Sequence, residues 1–237
     1  MELVVLAGGA GTRLASVLNG EPKALAPIDG VPFLLLQLQN WVSQGVRSFV
    51  FLLHHEADQI IRILDIQKSN ILKNCDVHCL VEPKPMGTGG AISYMCQEMQ
   101  PVNDFLVTNA DTWLGGGVKQ LMVSQTPSMV IKHVGDASRY GTVKLGSNKT
   151  ITAFHEKQPT AKEGFINAGM YKLNNLFFKN WDGAPFSLET KLMPELASDG
   201  LLSCVKIENE FIDIGIPDDY ERFQSWIASG KNDKLWT

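Results

Sequence analysis

The sequence lacks the features that mark several specialised classes of protein. Its four cysteines, Cys75, Cys79, Cys96 and Cys204, form no C-x-x-C pair, and no histidine near them completes a zinc pattern. We therefore expect free thiols in a reducing compartment. No run of lysine and arginine points to nucleic acid or a membrane surface as a partner. The apolar runs are far shorter than the roughly 20 residues that cross a bilayer.

Targeting and low-complexity segments are also missing. Met1 leads directly into an apolar run without the three regions of a signal peptide, so we expect a cytoplasmic protein. No internal repeat interrupts the chain, and we expect no added regulatory domain. With 237 residues, 44% of them hydrophobic and 19% charged, and a net charge of −4, the composition is that of a globular protein.

Short apolar strands that alternate with helical segments predict the fold class. Strands at 3–6, 48–53 and 77–81, separated by helices, give a βαβαβ opening. This order predicts an α/β protein with a Rossmann-like, mostly parallel sheet flanked by helices on both faces. In such sheets ligands bind beyond the carboxyl ends of the strands, where we expect the site.

The second half of the sequence changes its rhythm. Strands are predicted at 104–108 and 128–133, and an antiparallel hairpin follows over 140–154. The next strand, 165–171, contains Gly169, which suggests a bulge or a close approach of ligand to backbone. A helix is predicted from Ser187, a good N-cap, to 197.

A glycine-rich segment at the end of the first strand predicts an anion-binding site. It reads L-A-G-G-A-G-T-R-L over 6–14 and is followed by Pro22 and Lys23. Glycines let backbone N–H groups approach phosphate oxygens without a Cβ in the way. Arg13 adds a planar fork of donors, and Lys23 adds a compact charge. The segment favours a nucleoside triphosphate.

Other glycine-rich loops fit this segment less well. A Rossmann dinucleotide loop, as in a dehydrogenase, would need a third glycine after Gly11, which the sequence does not have. A Walker loop would need Gly-Lys-Ser/Thr, but Gly11 is followed by Thr12. A plain turn between strand and helix is the remaining alternative, and it does not account for Arg13 and Lys23.

The glycine segment, followed seven residues later by P-K-A-L-A-P, resembles the signature of the sugar-1-phosphate nucleotidyltransferases. Members join a nucleoside triphosphate to a sugar 1-phosphate and release pyrophosphate. The resemblance covers nearly the whole chain and implies a glycosyltransferase-A-like fold. It implies a single domain over 1–237, with a nucleotide-binding half at about 1–135 and a sugar-binding half at about 136–237, which contains the hairpin.

The second glycine-rich loop, E-P-K-P-M-G-T-G-G-A over 82–91, predicts the nucleotide base. The carboxylate of Glu82 can accept hydrogen bonds from both N1–H and N2–H of guanine, whereas uracil and thymine offer one N–H on that edge. An exposed loop glutamate is the alternative. The loop resembles that of guanylyltransferases, above all those acting on heptose 1-phosphate. The implied nucleotide-binding residues are Leu6, Ala7, Gly8, Gly9, Gly11, Thr12, Arg13, Lys23, Glu82, Gly87, Thr88, Asn109 and Asp111.

Two aspartates are candidate ligands for Mg²⁺. Asp111 follows a strand in the segment N-A-D-T, where a helix N-cap is the rival interpretation. A carboxylate at a triphosphate suits Mg²⁺, which takes carboxylate, phosphate and water oxygens. The resemblance makes Asp111 one metal ligand and Asp213, in D-I-G-I-P, the second. Ile216 stands where the family commonly has threonine.

The sugar site is implied by family segments in the second half. F-x-E-K suggests that Lys157 neutralises the sugar phosphate, and Asn167 can donate to and accept from hydroxyls. An exposed charge pair at 156–157 and a helix-terminal glutamate at 189 are the alternatives. The implied sugar-binding residues are Tyr140, Gly141, Glu156, Lys157, Asn167, Ala168, Gly169 and Glu189.

These residues predict guanylyl transfer from GTP, and the resemblance implies D-glycero-D-manno-heptose 1-phosphate as the acceptor. The expected catalytic residues are Arg13, Lys23, Asp111, Lys157 and Asp213, and no general base is required because the nucleophile is already an anion. Three alternatives stay open: UTP or dTTP as donor, a mannose, glucose or amino-sugar 1-phosphate as acceptor, and a non-catalytic nucleotide-sugar sensor. No nucleic acid or membrane partner is expected, and a homo-oligomer is left open.

Overall fold

The computed structural model describes residues 1–9, 11, 14, 18 and 20–229. The strands within them are β1 (Leu3–Leu6), β2 (Pro27–Ile28), β3 (Val31–Pro32), β4 (Ser48–Leu53), β5 (Asp76–Val81), β6 (Phe105–Asn109), β7 (Thr112–Leu114), β8 (Ser128–Val134), β9 (Thr142–Leu145), β10 (Ile151–His155), β11 (Gly164–Leu173), β12 (Ser203–Lys206) and β13 (Phe211–Asp213). The α-helices are α1 (Phe33–Ser43), α2 (Ala57–Gln67), α3 (Gly87–Met99), α4 (Val118–Met122), α5 (Met193–Ser198) and α6 (Pro217–Ala228).

A nine-stranded sheet forms the centre of the molecule. Its main path runs β10-β9-β11-β6-β1-β4-β5, and β8 joins β11 to β12. The four strands β6, β1, β4 and β5 are parallel, with Leu3 opposite both Phe49 and Leu106. Because helices connect these strands, their carboxyl ends meet at one edge of the sheet. The predicted βαβαβ opening is confirmed.

The second half of the sheet is antiparallel around the long strand β11. β8 pairs along most of β11, while β6 and β9 pair with its two ends. The register of β11 against β8 shifts between Asn167 and Tyr171, and Gly169 has φ of +73°. The β9–β10 hairpin is antiparallel, as predicted. The glycine in β11 thus marks an irregularity that turns backbone groups away from the ladder.

A separate two-stranded sheet carries the two acidic segments. β7 and β13 pair antiparallel, with Asp213 opposite Thr112. The N–H of Ile214 also donates to the carbonyl of Asp111 at 3.0 Å. This pairing was not predicted, and it places Asp213 directly beside Asp111 although about a hundred residues separate them.

Three apolar clusters hold these layers together. One packs α1 and α2 against one face of the parallel strands, and a second packs α3 and α5 against the other. The third cluster joins α6 to the two-stranded sheet through Trp113, Ile212, Ile214 and Phe223. None of the helices in the described part of the chain is long and apolar enough to span a membrane.

The local predictions differ from the structure mainly at helix boundaries. The strand 48–53 has the predicted bounds, and the last described helix runs from Pro217 to Ala228. The helix expected from Ser187 begins instead with one π-helical turn, Leu188–Leu192, before α5. Ser187 does cap it, because its hydroxyl accepts from the N–H groups of Glu189 and Thr190.

Candidate active site

A cleft of about 620 Å³ lies where β1, β4, β5 and β6 end. Its position is the one expected for a ligand of a parallel sheet. All eleven predicted nucleotide-binding residues that the structure describes line it: Leu6, Ala7, Gly8, Gly9, Gly11, Lys23, Glu82, Gly87, Thr88, Asn109 and Asp111. Thr12 and Arg13 lie outside the described residues, so their predicted roles stay predictions.

Lys23 connects the two predicted metal ligands. Its ammonium nitrogen lies 2.5 Å from Oδ2 of Asp111 and 3.8 Å from Oδ1 of Asp213. The lysine side chain is 11% exposed, so the attraction is less screened than on an open surface. The three side chains predicted from separate motifs therefore form one charged cluster, of which Lys23 and Asp111 line the cleft.

The pKa of Asp213 reflects its burial and the repulsion between its carboxylate and that of Asp111. Burial, followed by the charge of Asp111, raises the pKa of Asp213. The charges of Lys23 and Lys157 and the N–H of Gly215 act in the opposite direction. The cluster consequently favours positive charge beside the two aspartates.

Glu82 is buried at the opposite end of the cleft and is not an exposed loop residue. It follows β5 and is 7% exposed, and its Oε2 accepts from the N–H of Met86 at 3.1 Å. Burial raises the pKa of Glu82, against the opposing effects of that hydrogen bond and of His54. Its carboxylate lies against Gly8, where an added Cβ would come within 2.8 Å of Oε1. A side chain added at position 8 would therefore displace the Glu82 carboxylate.

The start of α3 is fixed from across the molecule by Phe186. Gly87 has φ of +71°, and the N–H groups of Gly89 and Gly90 donate to the carbonyl of Phe186 at 3.0 and 3.2 Å. The N–H of Phe186 donates in turn to the carbonyl of Met86 at 3.0 Å. These bonds join the predicted base-binding loop to the sugar-binding half.

A second pocket of about 240 Å³ adjoins the cleft. Thr88 and Asn109 line both cavities. All eight predicted sugar-binding residues line this second pocket, together with Asp213: Tyr140, Gly141, Glu156, Lys157, Asn167, Ala168, Gly169 and Glu189. The structure therefore brings the two predicted groups of residues to neighbouring cavities with the aspartates between them.

A hydrogen-bond network orders the wall of the second pocket. Oε2 of Glu189 accepts from the hydroxyls of Thr88 and Ser187, each at 2.7 Å. The buried hydroxyl of Tyr171 donates to Oε1 of Glu189 at 3.3 Å and accepts from Nδ2 of Asn167 at 2.6 Å. Each carboxylate oxygen can accept more than one hydrogen bond, so Glu189 can also accept from a hydroxyl in the pocket that it lines.

Several residues that line the cavities were missing from the predicted site. His54 and His55 end β4 and line the cleft, and Nδ1 of His54 lies 3.1 Å from the carbonyl of Glu82. Phe154 and Phe211 line the second pocket. The position of the two histidines directly after a predicted strand could have indicated that they line the ligand site. The two phenylalanines look like ordinary core residues in the sequence.

Comparison with known proteins gives the family of this chain. The pattern of the family described as nucleotidyl transferase matches residues 2–229, nearly the full length of the chain. The chain belongs to the nucleotidyl transferase family. This confirms the family and the type of enzyme predicted from the glycine segment, and it excludes the dehydrogenase alternative. The nucleotidyl transferase fold, a mostly parallel sheet with antiparallel strands, is confirmed as well.

Individual relatives of this nucleotidyl transferase carry related activities. The D-glycero-alpha-D-manno-heptose 1-phosphate guanylyltransferase of Campylobacter jejuni is 30% identical over 94% of this chain and 98% of its own. The mannose-1-phosphate guanyltransferase of Aspergillus fumigatus is 29% identical over 93% of this chain but only 62% of its own. The crystal structure of HddC from Yersinia pseudotuberculosis is 32% identical with a TM-score of 0.82, covering 95% of this chain and 99% of that one. HddC has also been crystallised in complex with GMP-PN.

Proposed function

We propose that this nucleotidyl transferase joins GMP from GTP to D-glycero-D-manno-heptose 1-phosphate, giving GDP-heptose and pyrophosphate. The observation that carries the choice of nucleotide is the buried carboxylate of Glu82 in the nucleotide cleft. A buried acceptor pair favours a base that offers two N–H donors, because a base with fewer leaves a lone pair unsatisfied. The guanylyltransferase relatives support the same choice.

The proposed sugar rests on similarity over full length. The heptose 1-phosphate enzyme of Campylobacter jejuni matches this chain over 98% of its own sequence, whereas the mannose 1-phosphate enzyme extends well beyond the matched part. The pocket of about 240 Å³ offers Glu156, Asn167 and Glu189 to sugar hydroxyls. Mannose 1-phosphate is the competing acceptor, and the closing experiment includes it.

The positively charged groups in the two cavities suit the following reaction. An oxygen of the sugar phosphate forms a bond to the α-phosphorus, and the bond from the α-phosphorus to the bridging oxygen breaks in line with it. Pyrophosphate leaves with the bonding electrons, so no proton has to move. Lys157 in the sugar pocket holds the incoming phosphate, and Lys23 lies at the reacting phosphates. The backbone N–H groups of the loop at Gly8, Gly9 and Gly11 bind the leaving pyrophosphate.

The aspartates fit a divalent cation. Asp111 and Asp213 both reach the ammonium of Lys23, and burial together with the charge of Asp111 raises the pKa of Asp213. Two carboxylates leave several coordination positions for phosphate oxygens and water, which is the usual ligand set of Mg²⁺. Bound there, Mg²⁺ would neutralise the charge that develops at the α-phosphorus. The chain's own part is to hold Asp111 and Asp213 together through the β7–β13 pairing.

The test is pyrophosphate release with GTP, ATP, CTP, UTP and dTTP, each crossed with heptose, mannose, glucose and amino-sugar 1-phosphates. We expect release with GTP and heptose 1-phosphate in the presence of Mg²⁺ and none after chelation. If pyrophosphate is released only with GTP and mannose 1-phosphate, GTP remains the proposed donor and mannose 1-phosphate replaces heptose 1-phosphate as the acceptor. Release with UTP or dTTP would overturn the role of Glu82, and no release with any pair would favour a nucleotide-sugar sensor.

The proposal also includes that the protein acts in the cytoplasm, in the synthesis of a cell-surface polysaccharide. All four cysteines are free thiols, as expected in a reducing compartment. A GDP-activated heptose is a donor for a glycosyl transfer reaction, which must consume this product.

A further inference from the structure

A buried carboxylate outside both cavities connects α6 to the sugar pocket. Asp219, in the first turn of α6, is 3% exposed. Oδ2 lies 2.5 Å from Nη1 of Arg139, and Oδ1 lies 3.0 Å from Nη2 of Arg222. A buried carboxylate is costly unless it is paired, and the two arginines compensate the charge of Asp219.

The two arginines reach Asp219 from different directions. Arg222 lies three residues further along α6, and its side chain is 58% exposed. Arg139 comes from the irregular segment before β9, and its side chain is 36% exposed. Arg222 therefore adds a pair within one helix, whereas Arg139 ties a distant segment to α6.

Arg139 also contacts a wall of the sugar pocket. The carbon of its guanidinium lies 5.7 Å from the centre of the Tyr140 ring. The Tyr140 ring meets Phe211 edge to face, with 5.3 Å between ring centres. Tyr140 and Phe211 both line the sugar pocket, and Phe211 begins the strand that ends at Asp213.

Backbone bonds hold the segment that carries Tyr140. The N–H of Ala137 donates to the carbonyl of Lys162, the N–H of Tyr140 donates to the carbonyl of Ala137, and the N–H of Asn167 donates to the carbonyl of Gly141. These bonds involve the backbone alone and do not set the direction of the Tyr140 ring. The ring is restrained by Phe211 on one side and by the guanidinium that Asp219 holds.

We propose that Arg139 and Asp219 are positioning residues that set the affinity for the sugar 1-phosphate by holding the Tyr140 ring in the wall of its pocket. The proposal rests on the proposed function, since it names a determinant of the same sugar site. It predicts that loss of the pair affects the acceptor sugar and leaves the nucleotide cleft unchanged.

The experiment compares Arg139→Met with Arg222→Met. We expect Arg139→Met to raise KM for the sugar 1-phosphate about tenfold, the scale of a partly desolvated cation–π contact. KM for the nucleotide and kcat should change less than KM for the sugar 1-phosphate, because Arg139 lines neither cavity and its attraction to Asp213 is the weakest of those that act on it. Arg222→Met removes a partner from the same carboxylate without touching Tyr140, so all its constants should stay at the wild-type level.

A second pair of variants separates positioning from loss of folding. Arg139→Met leaves Asp219 with one partner, so Arg139→Met/Asp219→Asn removes the buried charge as well and should show the same tenfold rise in a folded protein. In a Tyr140→Ala background, Arg139→Met should raise KM no further. Equal sugar KM in wild type and both Arg139 variants, or an additive effect in the Tyr140→Ala background, would overturn the inference.

The proposed function fails separately from this inference. If the wild-type protein releases no pyrophosphate with any sugar, the proposed function is wrong. Calorimetric binding of heptose 1-phosphate to the wild-type protein and the same variants then still measures the role of Arg139. Equal affinities in wild type and Arg139→Met would refute it.

Discussion

At the scale of single residues, the decisive feature is one ammonium shared by two carboxylates. Lys23 lies within 4 Å of both Asp111 and Asp213, and all three side chains face the reacting phosphates in the proposed mechanism. Preorganised charges of this kind act on charge that develops in the transition state, where a single donor contributes about 3 to 4 kcal/mol.

We predict that Lys23→Ala and Asp111→Asn each lower kcat for pyrophosphate release by at least about a hundredfold, on the same scale. The proteins should remain folded, because neither side chain belongs to an apolar cluster. Stopped-time assays of pyrophosphate, with circular dichroism to check folding, measure this. Lys119→Ala removes an exposed lysine of α4 and serves as the control. Near-normal turnover in a folded Lys23→Ala protein would contradict the assignment.

Glu82 gives the site a pH dependence with a defined sign. Because burial raises its pKa, Glu82 takes up a proton at a higher pH than an ordinary glutamate does. A protonated Glu82 loses an acceptor for the base. We therefore predict that KM for GTP rises as the pH falls through the raised pKa of Glu82, and that binding is complete above it.

The matching variant is Glu82→Gln, which has no such titration. It should lower the preference for GTP over UTP about 10- to 100-fold, since a hydrogen bond to a charged group contributes roughly 1.5 to 3 kcal/mol. KM for GTP measured from pH 5 to 8 in both proteins checks the sign. A rise in KM at low pH that persists unchanged in Glu82→Gln would assign the titration to another group.

At the scale of elements, the important contact is the one between the start of α3 and Phe186. A Cβ added to Gly89 would overlap the Phe186 side chain, and one added to Gly87 would lie 2.5 Å from the Phe186 carbonyl oxygen. The close approach allows the carbonyl of Phe186 to accept from Gly89 and Gly90. Protein packing thus requires the glycines at positions 87 and 89, independently of any ligand.

We predict that Gly89→Ala lowers the free energy of unfolding by about 1 to 3 kcal/mol, the usual cost of overpacking a fitted contact. It should also raise KM for the nucleotide, because Gly87 and Thr88 move with the displaced turn. Denaturant unfolding and steady-state kinetics measure the two effects. The matched control is Gly164→Ala at the start of β11, where an added Cβ meets no atom within 4 Å. Equal stability of the two variants would contradict the packing argument.

At the scale of the whole molecule, the packing of α6 holds Asp213 in place. Phe223 is fully buried and packs against Phe33, with 5.2 Å between ring centres, and against Trp113 at 5.5 Å. Ile212 and Ile214, which flank Asp213, belong to the same cluster. The C-terminal helix therefore stabilises the β7–β13 pairing on which the site depends.

We predict that Phe223→Ala lowers the free energy of unfolding by about 3 to 5 kcal/mol, the usual range for truncating a buried phenylalanine. For a chain of this size the melting temperature should fall by roughly 10 °C. Thermal unfolding followed by circular dichroism measures the change. Leu176→Ala, at a position 60% exposed, should leave the melting temperature unchanged. A wild-type melting temperature in Phe223→Ala would show that α6 is not part of the cooperative unit.

The sequence by itself determined the local elements and the chemistry of the site. Alternating apolar runs predict β1, β4 and β5, and the glycine segment with Lys23 predicts a phosphate site, because each signal lies within a few neighbouring residues. Glu82 is predicted from the acceptor oxygens of its carboxylate and from the resemblance of the second glycine-rich loop to that of guanylyltransferases. These inferences need no knowledge of what lies on the other side of the fold.

Only the tertiary structure decided which distant residues meet. The pairing that brings Asp213 to Asp111, the carbonyl of Phe186 that fixes α3, and the ion pair of Arg139 with Asp219 all join segments about 80 to 100 residues apart. Such contacts depend on how whole layers pack, and the order of residues along the chain does not record them. The family resemblance anticipated that Asp111 and Asp213 act together, and the packing of the complete chain supplies the physical cause.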